Sequence, residues 1–147
     1  MIWKKKKDPP ITDYIFLLKN YVTSSTIMMS NKLSNPVVRA GIQVHILGMT
    51  GMLKQAEHLN WDDFLSVYKT ILIEFNLLPT VSISDFVNTV GQIASNNQDI
   101  EKIMRLGGQS MQRYIAKRDT NAPTDLLSVV FFSEKNSSRF DELIKIV

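Results

Sequence analysis

One segment constrains this chain more than any other. From Pro36 to about His58 the residues are apolar on most sides of a helix, through Ile42, Val44, Ile46, Leu47, Met49, Met52 and Leu53. A helix that is greasy all round has no face to offer water and has to be surrounded by other elements. It does not read as a membrane span. A spanning helix needs about 20 apolar residues with few charges, and Arg39, Gln43 and His45 interrupt the run from Val37 to Leu53. Gly41, Gly48 and Gly51 fall inside the segment, and each costs about 1 kcal/mol relative to Ala in a helix interior. Close approach of a neighbouring helix is the expected compensation. The segment 36–58 therefore reads as the central apolar helix of a bundle.

The rest of the chain supplies the neighbours. After Pro9-Pro10, with Thr12 or Asp13 as cap, Tyr14, Leu17, Leu18, Tyr21 and Val22 share one helical face. The hydroxyl-rich Thr23 to Thr26 is expected to bend or end that helix. Asn60 is a good cap, with Asp62 and Asp63 favourable in the first turn that follows. Phe64, Val67, Tyr68, Ile71, Leu72 and Phe75 then keep helical spacing. Ser82 with Asp85 resembles a capping box ahead of Ile83, Phe86, Val87, Val90, Ile93 and Ala94. From Gln98 to Lys117 the stripe is Ile100, Ile103, Met104, Met111, Tyr114 and Ile115, with Gly107 and Gly108 on the same stripe. Those two glycines read as a notch for a crossing helix, or as a break that lets a ligand reach the backbone.

Asp119 to Thr124 reads as a loop, followed by a short helix through Phe132. A last helix is expected after Ser137 or Ser138, carrying Phe140, Leu143, Ile144 and Val147. The sum is an all-α compact bundle of six or seven helices. A chain of 147 residues suits one domain. Residues 1–10 read as a basic, flexible tail and 11–147 as a single all-α domain, of which 124–147 reads as a C-terminal helical arm. The rhythm of capped helices from Gly51 to Tyr114 resembles that of tellurite-resistance-type helical domains. That family's Ala-Asp-Gly acidic motif is absent, Leu59-Asn60-Trp61-Asp62 standing nearest its place, and membership is not inferred.

The formal charge is +3. Lys4 to Lys7 with Asp8 account for all of it, so the remainder carries equal numbers of basic and acidic side chains. The tail, with Trp3, is most simply a solubilising terminus. A contact with membrane or nucleic acid is its sharper reading. No apolar stretch of signal-peptide length follows it, and a cytoplasmic location is the default expectation. Inside the body, Lys102, Arg105, Arg113, Lys117 and Arg118 have no acid between them. They read as a solvated helix face favourable to the helix dipole, or as an anion-binding surface.

Chemistry is sparse. The chain has no cysteine and only His45 and His58 as histidines. Glu57, His58, Asp62 and Asp63 straddle a helix break, and capping accounts for two of the acids, so no metal is expected. His45 reads as a hydrogen-bonded core residue. There is no Gly-x-Ser-x-Gly elbow and no phosphate loop. No cofactor and no enzymatic activity are expected. The leading expectation is a small non-enzymatic helical interaction or adaptor module that binds a protein partner or itself as a homodimer. Leu126, Leu127, Val130, Phe131 and Phe132 are its candidate contact residues, being too apolar to stay in water. The alternative is a regulatory protein that binds nucleic acid or another polyanion through the tail and the five basic residues at 102–118. A third reading is a ligand pocket near His45, Gly107-Gly108 and Tyr114.

Overall fold

The computed structural model describes residues 11–26 and 31–147. The expectations for the basic tail and for Trp3 lie outside them. The described residues form six α-helices and no strand. These are α1 (Ile11–Thr26), α2 (Pro36–Glu57), α3 (Trp61–Glu74), α4 (Ile83–Asn96), α5 (Gln98–Ala116) and α6 (Asp125–Lys135).

The boundaries follow local chemistry. The Asn35 side chain accepts from the Val37 amide and Pro36 fills the first helical position of α2, where a missing N–H costs nothing. His58 closes α2 in the left-handed conformation, φ 54°. The side chains of Asn60, Ser82 and Asn97 cap α3, α4 and α5 by accepting amide protons of their first turns. α1 persists through Thr23 to Thr26 instead of ending early. Ser24 returns its hydroxyl to the Asn20 carbonyl and Ser25 donates to the Pro123 carbonyl, so these groups do not compete with the helix ladder.

α2 is the centre. Every residue from Ala40 to Thr50 is buried. Its glycines explain how the backbone of α5 comes so close. A Cβ on Gly48 would run into the Met104 carbonyl, and one on Gly107 would run into the His45 carbonyl. On the other side of α2, a Cβ on Gly41 would meet Ser133 and Val129 of α6. The crossings expected from the glycines are therefore there at Gly41, Gly48 and Gly107. Gly51 is different: among the described residues, nothing from another element stands within 4 Å of its Cβ position.

The expected last helix is not continuous. Ser137–Phe140 is a 3-10 turn, and 141–146 is a series of turns. Tertiary bonds hold this segment instead. Ile146 accepts from the Thr80 amide, and the Val147 carbonyl takes bonds from Arg39 Nε and Gln43 Nε2. Phe140, Leu143 and Val147 still reach the core, because the turns preserve spacings of three and four residues. Among the described residues, no helix is long and apolar enough to cross a membrane.

Candidate docking groove

Two constellations stand out, one sealed and one open. The sealed one joins α1, α2, α5 and the 3-10 turn Ala122–Thr124. Tyr21 Oη lies 3.0 Å from His45 Nε2, 2.5 Å from Ser110 Oγ and 3.1 Å from the Ala122 carbonyl. Ser110 Oγ also donates to that carbonyl at 3.0 Å. All three side chains are fully buried. Burial pushes the Tyr21 phenol well above its ordinary range. It pushes His45 down to about 4, with the Asp125 charge opposing. His45 Nδ1 closes no hydrogen bond of ordinary geometry. Serine, histidine and tyrosine are in contact here, with all three side chains buried among the described residues. Tyr21 and Ser110 satisfy the buried carbonyl of Ala122, which would otherwise carry a desolvation cost of about 1–3 kcal/mol.

The residues singled out from sequence are dispersed. Leu126 and Val130 belong to this chain's own core. Leu127 and Phe132 are half-buried, and Phe131 is 64% exposed with the Lys32 ammonium 5.3 Å from its ring centre. Of the five basic residues, Lys102, Arg105 and Arg113 lie along α5, with Lys117 and Arg118 just past its end. Arg113 is bound to Asp125 and lies 3.5 Å from Asp119, and these partners hold its guanidinium pKa up. Arg105 pairs loosely with Glu101 at 3.7 Å. Lys102 borders a crevice of about 200 Å³ between α5 and α6. Lys117 and Arg118 are exposed at the end of α5. Of the pocket expected near His45, Gly107-Gly108 and Tyr114, the space at Gly107 is taken by the backbone of α2, while Gly108 borders an open hollow. Among the described residues, no group of three or more His, Cys, Asp or Glu is placed to hold a metal ion.

The open constellation was not anticipated as a unit. α2, α3, α4 and α5 leave a groove of about 610 Å³ between them. Its surface includes bare backbone at Gly51, Gly91 and Gly108, and its apolar walls include Met52, Met104 and Trp61. Among the described residues, neither Gly51 nor Gly91 has an atom of another element within 4 Å of its Cβ position. Trp61 is 43% exposed, its ring tilted on Phe64 at 5.4 Å. Lys54, Arg105 and Glu101 bring charge to the lining, and Gln55, Gln109 and Gln112 bring amides. The Gly107-Gly108 pair thus divides its roles: Gly107 seats the helix crossing and Gly108 borders the groove. A second hollow, about 640 Å³ and mostly polar, lies between α4 and the turns at 138–145. It lacks the aromatic and methionine wall of the first.

No protein-family model, curated protein or solved structure matches this chain.

Proposed function

We propose that this protein is a non-enzymatic helical interaction module, and that its docking surface is the groove among α2, α3, α4 and α5. The carrying observation is the contrast between its glycines. Gly48 and Gly107 are required by the helix crossing, since any side chain there would strike backbone. Gly51 and Gly91 also sit in helices, at about 1 kcal/mol each against Ala, yet among the described residues no neighbour from another element occupies the space they leave. Bare helix backbone beside Trp61, Met52 and Met104 lets another element approach closely. Methionine adapts its shape to an irregular partner, and tryptophan is enriched among the residues that dominate interface energetics. The sealing of Tyr21, His45 and Ser110 supports a non-catalytic reading.

The test is to fill the groove without touching the core. Gly51→Leu places a side chain in open space. Wild type, Gly51→Leu and Phe131→Ser are immobilised and compared for protein capture from the native extract, with melting temperatures recorded. The expected result is a partner held by wild type and Phe131→Ser and lost by Gly51→Leu. Undiminished capture by a folded Gly51→Leu overturns the reading. Loss confined to Phe131→Ser would move the contact surface to α6.

A further inference from the structure

We infer that the element seated in the groove is a second copy of this chain, docked about a two-fold axis with Trp61 of each copy in the groove of the other. This deepens the docking reading and rests on it. A two-fold interface is made by one patch meeting itself, so the patch has to carry both members of each complementary pair. This one does. Its exposed aromatic is Trp61, 43% exposed in the groove wall at the start of α3. Its recess is the open space over Gly51 and Gly91, bordered by Gly108. Both signs of charge are present as well. Lys54 and Arg105 are cations of the lining, Glu101 is an anion of the lining, and Asp62, next to Trp61, is exposed.

A patch of one sign would repel its own copy, whereas this lining carries Lys54 and Arg105 with Glu101, and the exposed Asp62 follows Trp61 in the first turn of α3, so opposite charges are available to be matched across a two-fold axis. The Glu101–Arg105 pair is long, at 3.7 Å, and exposed. Exchanging it for a pair between copies therefore sacrifices little. Outside the basic tail the chain carries equal numbers of acidic and basic residues, so net repulsion between two copies comes only from the +3 of that tail.

The experiment is sedimentation velocity on the full chain from about 1 to about 500 µM, a span that resolves weak to moderate dimers. Wild type is expected to pass from monomer to dimer. Trp61→Ala should raise the dissociation constant about tenfold or more. Two further variants test the symmetry: Lys54→Glu with Arg105→Glu makes the patch acidic, and Asp62→Lys with Glu101→Lys makes it basic. Each should stay monomeric alone, and an equimolar mixture should dimerise. Thermal melts establish that each variant is folded.

A wild type that stays monomeric throughout the range overturns the inference. So does a mixture that pairs no better than either charge variant alone. If the chain is monomeric while Gly51→Leu still abolishes capture of another protein, the second copy is excluded and the docking groove stands. If Gly51→Leu disturbs neither self-association nor capture, both fall.

Discussion

Acidification should weaken this fold through a single imidazole. His45 is fully buried on α2, and burial lowers its pKa from 6.5 to about 4, against the opposing attraction of Asp125. The fold therefore favours the neutral ring, while the unfolded chain takes up a proton near the ordinary histidine value. Between those two values the unfolded state binds up to one proton more than the folded state, so stability rises with pH across that window. The contribution is complete above about pH 6.5 and fades as pH falls, reaching its minimum below about pH 4. At about 1.36 kcal/mol per unit of displacement, the full effect is about 3 kcal/mol. About 2 kcal/mol of it is lost between about pH 7 and pH 5. For a domain of this size that corresponds to a fall in Tm of about 4–8 °C. Carboxylates also titrate as the pH drops, so the assay is a comparison: urea unfolding of wild type and His45→Gln at several pH values. Glutamine keeps a polar group near Tyr21 but does not titrate. Wild type should lose about 2 kcal/mol more than His45→Gln over that interval. Parallel losses in the two proteins would show that the ring is not held neutral inside the bundle, and the argument would fail.

The glycines separate by sign. Gly48→Ala and Gly107→Ala should each destabilise by about 3 kcal/mol or more, because the new Cβ meets backbone that cannot turn aside, whereas Gly51→Ala and Gly91→Ala should stabilise by about 0.5–1 kcal/mol. Denaturant midpoints for the four variants decide this, and a common sign across all four would refute it. Arg39 bridges the end of α3 to the last residues through the carbonyls of Asn76, Leu78 and Val147. Arg39→Ala should cost about 2–3 kcal/mol, and it should speed amide exchange around Leu77 and Ile146 more than in α5, as hydrogen-exchange mass spectrometry would read. Tyr21→Phe leaves His45 Nε2 without its partner and removes a donor near Ala122. It should cost about 1–3 kcal/mol by thermal denaturation, and a change within error would mean that Ser110 alone satisfies the Ala122 carbonyl.

Much of the architecture is readable from sequence because it is set by neighbours in the chain. The caps at Asn60 and Ser82 need only a side-chain oxygen and the first turn that follows, and both stand where the sequence puts them. α2 is legible for a different reason: a helix apolar on every side has no solution other than the centre. Elements whose shape depends on distant partners are less legible. Phe140, Leu143, Ile144 and Val147 keep helical spacing, yet their backbone is mostly turn, because Arg39, Gln43 and Thr80 compete for it from elsewhere. The apolar run at Leu126 to Phe132 shows the same limit. Its composition demands cover, but only the tertiary arrangement shows that Gly41 lets α2 supply that cover on one side while Phe131 is left in solvent.

The groove lies at the far end of this scale, and the reason is instructive. Gly41, Gly48 and Gly51 look alike in sequence, being three glycines in one apolar helix. Their difference is wholly external: among the described residues, α6 closes on the first, α5 on the second, and nothing on the third. A helix tolerates a glycine when the close contact it permits is worth more than the backbone entropy it loses. For Gly41 and Gly48 that contact is inside the molecule. For Gly51 and Gly91 the described residues supply no such contact. A second body against Trp61, Met52 and Met104 would complete it, and it is this mismatch between helix cost and internal contact, more than the hollow itself, that gives the groove its meaning.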